Sequence, residues 1–314
     1  MTRDDTSTTG TGPTGVTTAA DPAGSPEILR YTAFSDDPAG GNPAGVVLDA
    51  SGLDDAARLA VAARLGYSET AFLTAPPEGL GTPGRAFTIR YFSPLAEVSF
   101  CGHATVATAV ALAERLGPGE LTFATRAGTV PVTVRETGGR LVATLSSVEP
   151  YVTDIAPGDL AEALAALGWP AADLDPALPP RIAYAGARHL VLGAATRARL
   201  ADLDYDFPRL AALMRRLDLT TLQLAWRESE SVFHVRDPFP VGGVVEDPAT
   251  GAAAAALGAY ARTLGLVTAP TTLTLHQGHD LGRPGLLTVE LRDGDPRAHV
   301  GGTATALPEA RPTG

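Results

Sequence analysis

Two long stretches of the chain are apolar on nearly every helical face. The first runs from Val106 to Leu116 and the second from Ala252 to Leu264, and both are rich in alanine. A helix that is apolar all round has no face for solvent and is therefore buried. Two such helices in one chain predict two hydrophobic cores, each wrapped around its own helix.

The segments around the two helices resemble each other. Each helix is preceded by an arginine, a phenylalanine and a proline in the same order: Arg90, Phe92 and Pro94 for the first, Arg236, Phe239 and Pro240 for the second. Both helices end at a Leu-Gly pair, about half a chain length apart. Matched flanks at this separation indicate an internal duplication and two pseudo-symmetric halves. The alternative is a chance similarity between alanine-rich helices.

Shorter patterns predict the remaining elements. Alternating or short apolar runs are typical of strands, and they occur at 28–32, 44–48, 70–73, 87–92, 129–134, 141–145, 189–192, 232–235, 273–276 and 286–291. Helical spacing occurs at 53–65, 160–167 and 210–217. Residues 40–43 are predicted to form a turn. Because strands and helices do not alternate regularly, the pattern indicates an α+β fold.

Composition and charge exclude several classes of function. The 314 residues carry a formal net charge of −11, which argues against nucleic acid or an anionic membrane as the main partner. All the Lys and Arg residues are arginines, so a Schiff-base lysine and a Walker-type phosphate loop are both impossible. The single cysteine, Cys101, excludes an intramolecular disulfide and a two-thiol racemase mechanism within one protomer.

The ends and loops suggest a cytoplasmic protein. Residues 1–25 are rich in Thr, Gly, Asp and Pro, and they predict a disordered tail without a signal peptide. A membrane span is not expected, because no run of about 18 apolar residues occurs. Residues 79–84 match GxGxxG, but Pro76, Pro77 and Pro83 crowd this loop and a strand follows it. A dinucleotide site needs a helix at that point, so a surface loop is predicted.

Polar groups stand at the starts of both buried helices. The turn with Gly102 and His103 opens the first helix, and Asp247 to Gly251 opens the second. Free N–H groups at helix starts bind carboxylates and phosphates. If the halves face each other, the two starts form a site for a small anionic molecule. Taken singly, His103 and Asp247 are equally compatible with ordinary capping roles.

Glu69 supplies a carboxylate just before an apolar strand. A glutamate near buried walls can serve as acid and base in turn. Its simpler interpretation is a solvated residue at a strand start.

Together these motifs resemble the phenazine-biosynthesis PhzF-like family, whose fold is that of diaminopimelate epimerase. The matching segments follow the family order at 41–47, 68–72, 89–94, 97–105, 246–251, 277–278 and 282–285. The resemblance implies two pseudo-symmetric domains, each a β-rich barrel-like sheet around a central helix, with the active site in the cleft. We expect domains at 26–135 and 136–298, with a strand near 299–307 returning to the first.

The resemblance also implies roles for individual residues. The family's catalytic acid/base corresponds to Glu69. The histidine of its GHAT motif and the aspartate of its DPATG motif correspond to His103 and Asp247, which are expected to be catalytic as well, by orienting the substrate's polar groups and helping to move protons. Further substrate contacts are expected from residues within or beside the matching motifs: Asn42, Ser68, Gly102, Thr250, Gly251, Ala252 and Gln277. Ala252 departs from the family, which often has serine there. No cofactor and no metal are expected, and a homodimer is plausible.

The predicted function is that of a cofactor-independent isomerase, which moves a proton on a small carboxylated metabolite. Two alternatives stay open at this point. One is an amino-acid or hydroxy-acid epimerase that uses Glu69 with Cys101 or His103 as unlike bases. The other is a non-catalytic ligand-binding protein on the same fold. The substrate itself is not identified by the sequence.

Overall fold

The computed structural model describes residues 26–308, so the predicted disordered tail at 1–25 lies outside the described residues. The helices within this range are α1 Asp55–Leu65, α2 Gly102–Leu116, α3 Pro157–Leu167, α4 Arg197–Ala201, α5 Phe207–Leu217 and α6 Gly251–Thr263. The strands are β1 Leu29–Ala33, β2 Asn42–Val47, β3 Glu69–Thr74, β4 Ala86–Phe92, β5 Glu97–Val98, β6 Gly119–Thr125, β7 Gly128–Thr137, β8 Arg140–Ser146, β9 Tyr151–Asp154, β10 Arg181–Tyr184, β11 Arg188–Gly193, β12 Thr221–Arg227, β13 Val232–Pro238, β14 Glu246–Asp247, β15 Thr271–Gln277, β16 Gly285–Leu291 and β17 Ala298–Ala306.

The first half of the chain forms a closed barrel around α2. Its strands pair in the order β1-β2-β3-β4-β6-β7-β8-β17, and β17 returns to pair with β1. Strand β17, which covers most of the segment at 299–307, therefore pairs with two strands of the first half. The predicted division between residues 135 and 136 falls within the β7–β8 hairpin, and it stays a prediction of domain organisation.

The second half repeats the same pattern of pairings around α6. From β1 to β8 the pairs are antiparallel, parallel, antiparallel, parallel, antiparallel and antiparallel. The pairs from β10 through β11, β12, β13, β15 and β16 to β17 have the identical order of directions. This repetition confirms the pseudo-symmetric α+β fold, and it makes β4 and β5 equivalent to β13 and β14.

The two alanine-rich helices occupy the centres of the two sheets. Residues 103–113 of α2 and 253–261 of α6 are buried, as their apolar faces predict. Strands from both halves, together with α2 and α6, contribute to one continuous hydrophobic core. Helices α3 and α5 pack in a separate cluster against the second sheet, and α1 packs against the first. The two halves therefore share one core, and the expectation of two separate cores was wrong.

Two local predictions are settled by the backbone. The 79–84 segment lies in the loop between β3 and β4, so the GxGxxG match is a surface loop as predicted. The turn predicted at 40–43 ends earlier than expected, because Asn42 already pairs with Ala33 and begins β2. Gly41, with φ of 57°, makes the preceding bend, and a Cβ there would collide with the Ala33 carbonyl oxygen. The bend fixes Asn42 at the barrel rim.

Candidate active site

The first turns of α2 and α6 meet at the junction of the two halves. A methyl group in place of the Gly102 hydrogen would lie 3.9 Å from the Cα atom of Gly251. The residues that precede the helices, Cys101 and Thr250, have extended backbones, and neither side chain caps its helix. Two adjacent helix starts without side-chain caps create a region of positive potential suited to an anion.

Glu69, Cys101 and His103 form a compact cluster beside these helix starts. Glu69 is the first residue of β3, and its Oε2 lies 3.4 Å from the His103 Nε2. The thiol of Cys101 donates to the same oxygen at 3.4 Å and also lies 3.4 Å from the His103 Nδ1. The Oγ of Ser68 lies 3.3 Å from the His103 Nε2. A carboxylate, a thiol and an imidazole thus share one small volume.

Asn42 connects this cluster to the second half of the molecule. Its Nδ2 donates to the Asp247 Oδ1 at 2.9 Å and to the Ala249 carbonyl oxygen at 3.1 Å. The same atom lies 3.2 Å from the His103 Nδ1. If the amide donates there, His103 carries its proton on Nε2 and presents it towards Glu69. Asn42 therefore orients a histidine from one half and an aspartate from the other.

Thr250 and Gln277 hold the loop that carries Asp247. The Thr250 hydroxyl donates to the Asp247 Oδ2 at 2.6 Å. The Gln277 amide donates to the Asp247 carbonyl oxygen and to the Thr250 Oγ1, and it accepts from the Thr250 N–H. These bonds leave Gln277, which is buried, engaged within the protein. Its direct role here is to support the loop.

Burial shifts the pKa values of two groups in the site, Cys101 and Asp247. Burial raises the pKa of the Cys101 thiol well above its usual range, and the negative charge of Glu69 adds to the effect. Burial also raises the pKa of Asp247, against the opposing influence of His103 and the hydrogen bonds from Thr250 and Asn42. The thiol is therefore protonated at neutral pH and acts as a hydrogen-bond donor rather than as a thiolate.

The structure brings most of the site residues predicted from the sequence close together. Glu69, His103 and Asp247 are linked through Asn42 and Cys101, and the two glycines lie at the facing helix starts. Ala252 is partly exposed in the first turn of α6, and it offers no hydroxyl group. The structure also places the Cys101 thiol against the Glu69 carboxylate, the two groups that the epimerase alternative pairs.

A metal could be held by this same cluster. Among residues 26–308, Glu69, Cys101 and His103 form the one group whose three donor atoms all lie within 4.8 Å of one another. The expectation that no metal or cofactor is needed stays a prediction. Within the same range, no helix is long and apolar enough to cross a membrane.

Comparison with known proteins identifies the family. A family model described as phenazine biosynthesis-like protein matches residues 31–310. The chain belongs to the PhzF family. This PhzF-family chain is 30% identical to an uncharacterized isomerase, YfhB of Bacillus subtilis, over 90% of the chain and 96% of that relative. It is 32% identical to the trans-2,3-dihydro-3-hydroxyanthranilate isomerase of Pseudomonas fluorescens, over 81% of the chain and 86% of the relative.

A solved structure supports the same assignment for the PhzF-family fold. The PhzF-family phenazine biosynthesis protein of Bacillus anthracis superposes with a TM-score of 0.79 at 26% identity. The match covers 90% of this chain and 96% of that protein. With relatives named as isomerases over most of its length, this PhzF-family member is an isomerase.

Proposed function

We propose that this isomerase moves a proton between two carbon atoms of a small, unsaturated cyclic carboxylic acid, with Glu69 as its single acid/base. The observation that carries the proposal is the position of Glu69. Its side chain is 16% exposed, and it lies beside the buried His103 and next to the two facing helix starts. A carboxylate in this position can reach a substrate whose own carboxylate is bound by backbone N–H groups.

The proposed reaction has two proton transfers and needs no redox partner. The Glu69 carboxylate takes a proton from one substrate carbon, and the electron pair shifts along the adjacent double bond. Glu69 then returns the proton to the carbon at the far end of the shifted bond. His103, whose Nε2 lies 3.4 Å from the Glu69 Oε2, holds the carboxyl group in one orientation during both transfers. Gly102 and Gly251 lie where backbone N–H groups would hold the substrate carboxylate.

The pseudo-symmetry of the fold supports a one-base mechanism. Thr221 is the first residue of β12, as Glu69 is the first residue of β3, and Thr250 precedes α6 as Cys101 precedes α2. The second half therefore places threonines where the first half has a carboxylate and a thiol. A threonine hydroxyl is far too weak a base to abstract a carbon-bound proton. Only the first half therefore supplies a base at these positions, which is consistent with proton transfer on one face of the substrate.

The substrate class follows from the site and from one relative. Two facing helix starts suit a carboxylate, and the Pseudomonas fluorescens relative is named for a dihydro-hydroxyanthranilate. The proposed substrates therefore include compounds of that class, which are cyclic amino acids with double bonds in the ring. A cytoplasmic location and a homodimer stay predictions beside it.

The test is hydrogen exchange in heavy water, read by mass spectrometry. The protein is incubated with trans-2,3-dihydro-3-hydroxyanthranilate and with a panel of related cyclic acids. We expect deuterium gain that falls by about 100-fold or more in Glu69→Gln, which is the usual size of an acid–base contribution. Glu120→Gln, at an exposed position of β6, is the matched control and should exchange normally. Undiminished exchange in Glu69→Gln would rule out the mechanism.

One observation favours a second candidate, an epimerase with two unlike bases. The Cys101 thiol lies 3.4 Å from the Glu69 carboxylate, so both groups border the same space. The candidate predicts that Cys101→Ala abolishes α-proton exchange on an amino or hydroxy acid. The one-base isomerase predicts that Cys101→Ala retains exchange, and the two proposals are separated by that single variant.

A further inference from the structure

Asp237 and Asp247 lie directly opposite each other on neighbouring strands. They form a register pair between β13 and β14, and both are buried, with Asp237 fully inaccessible to solvent. Residues in register on adjacent antiparallel strands place their Cβ atoms about 4.5–5.5 Å apart, and like charges there are destabilising. Two ionised carboxylates in this arrangement would repel each other in a medium that screens them poorly.

The neighbouring residues on the other face of the same two strands form an ion pair between opposite charges. Arg236 precedes Asp237 and Glu246 precedes Asp247, so their side chains point to the opposite face. There the Arg236 Nε donates to the Glu246 Oε1 at 3.0 Å. One face of the strand pair thus carries a matched ion pair, and the other carries two acids.

The pseudo-symmetric counterpart shows which of these pairs the fold requires. In the first half, Arg90 on β4 donates to Glu97 on β5 at 2.7 Å, which repeats the ion pair of Arg236 and Glu246. The position equivalent to the two acids is held by the uncharged register pair Tyr91 and Val98. The ion pair is therefore a property of the fold. The acid pair belongs only to the half that supplies Asp247 to the active site.

Among the described residues, Asp237 forms its side-chain hydrogen bonds with neutral donors. Its Oδ1 lies 3.4 Å from the Thr221 Oγ1 and 3.1 Å from the Gln223 amide nitrogen, in the amide orientation that satisfies both of its neighbours. Its Oδ2 is buried without a partner among the described residues. His189, on β11, has its Nδ1 2.8 Å from the Thr221 Oγ1. Burial lowers the pKa of His189 to about 3.

Ionisation of Asp237 is therefore opposed by burial and by the neighbouring carboxylates, whereas the hydroxyl groups of Thr250 and Thr221 favour it. On β14 it faces Asp247 and, more distantly, Glu246; on β12 it faces the neutral Thr221 and Gln223; at the start of α6 it faces Thr250. Burial raises its pKa well above the usual range, and the negative charge of Asp247 adds to the effect. An uncompensated buried carboxylate with a second one beside it is the situation in which a proton is retained.

We propose that Asp237 is a positioning residue of the active site, a neutral carboxylic acid that lets Asp247 alone carry negative charge opposite His103 and Asn42. The proposal rests on the proposed function only through the role of Asp247 in the site. Asp237 itself does not reach the substrate, because it is fully buried. In alkaline solution it loses its proton, the two carboxylates repel, and the loop that holds Asp247 against Asn42 is displaced.

The decisive experiment measures where the proton is, without any substrate. Infrared spectra of the whole protein in heavy water at neutral pH are compared for wild type, Asp237→Asn and Asp247→Asn. We expect a carboxylic-acid carbonyl band in wild type that Asp237→Asn removes. A wild type without such a band, or a band removed by Asp247→Asn but retained in Asp237→Asn, overturns the proposal. The absence of the band in wild type can be established without any variant. Neither outcome depends on turnover, so the infrared test is independent of the proposed reaction.

Kinetics then separate positioning from a merely structural role. Asn is a neutral isostere of the protonated acid, so Asp237→Asn should stay within about threefold of wild-type kcat/KM at neutral pH. It should also lose the alkaline decline of the wild-type profile. Asp237→Ala leaves Thr221 and Gln223 without their acceptor and should fall by about tenfold or more. An alkaline decline unchanged in Asp237→Asn, or losses equal in Asn and Ala, would contradict the proposal.

Discussion

The side-chain amide of Asn42 in β2 donates a 2.9 Å hydrogen bond to the carboxylate of Asp247 in β14, and so ties the rim of the first barrel to the loop of the second. Because the same nitrogen lies 3.2 Å from the His103 Nδ1, one side chain aligns titrating groups from both halves. The candidate site therefore combines groups from both pseudo-symmetric halves, and the contact of Asn42 with Asp247 joins them.

Asn42→Ala should damage catalysis more than it damages folding. Removal of the amide leaves the Asp247 Oδ1 and the Ala249 carbonyl oxygen without their donor, at a cost of about 1–3 kcal/mol in unfolding free energy. His103 also loses the neighbour of its Nδ1, so kcat/KM should fall by about 10-fold or more. Urea unfolding and steady-state kinetics measure the two effects. Wild-type kcat/KM in a folded Asn42→Ala protein would show that the link is not needed.

The acid pair makes stability depend on pH in a defined direction. A carboxyl group whose pKa is higher in the folded state holds its proton while the unfolded chain has lost it, so stability falls as the pH rises above about 4. For one proton the slope reaches about 1.4 kcal/mol per pH unit, up to the folded-state pKa. Asp237→Asn lacks this loss, so its stability relative to wild type should increase with pH. Urea unfolding of both proteins across a pH series measures the difference, and a difference that is constant with pH would show that Asp237 is ionised in the folded state.

Much of this architecture was predictable from local pattern. Helices α2 and α6 were predictable because a helix that is apolar on all faces is stable only when buried. Gly102 and Gly251, at the starts of these helices, mark the place where the candidate site forms. Glu69, His103 and Asp247 were found from motifs, and the structure gathers them. In each case the signal lay within a few consecutive residues.

Asp237 could not be found in this way, because its significance arises from register. Nothing in the segment around it distinguishes a buried acid from a surface one, and its partner stands ten positions away across a turn. Only the pairing of β13 with β14 places the two acids together. The two-residue strands β5 and β14 were missed for the same reason, since such short strands have no periodicity of their own.

Cys101 should be slow to alkylate at neutral pH. Burial and the nearby Glu69 charge raise the pKa of its thiol, and the thiolate is the reactive form. Its reaction with iodoacetamide should therefore accelerate steadily as the pH increases beyond 8.5, the approximate pKa of a free thiol. The rate is followed by mass spectrometry of the intact protein, which has this single cysteine. A rate that levels off near neutral pH would mean that His103 stabilises a thiolate.

The two equivalent ion pairs should differ in their contribution to stability. Glu246 is completely buried and pairs with Arg236, so Arg236→Met leaves a buried charge and should cost about 3–5 kcal/mol. Arg90→Met should cost less, because Glu97 keeps a second partner in Arg126 at 2.7 Å. Urea unfolding of both variants provides the comparison. A larger loss in Arg90→Met would show that burial does not control the difference.

Ala252→Ser should strengthen binding of a carboxylate at the start of α6. Residue 252 is partly exposed in the first helical turn, next to Gly251 and the facing Gly102, so a serine hydroxyl there would border the anion site. A new hydrogen bond of this kind contributes about 0.5–1.5 kcal/mol, which corresponds to a decrease in Kd of about 2- to 12-fold. Calorimetric titration with anthranilate, which has the carboxylate but no transferable ring proton, measures binding apart from turnover. Ala253→Ser, one residue further along and buried, is the control and should not tighten binding. If Ala252→Ser leaves the Kd for anthranilate unchanged, the substrate carboxylate is bound elsewhere than at the facing helix starts.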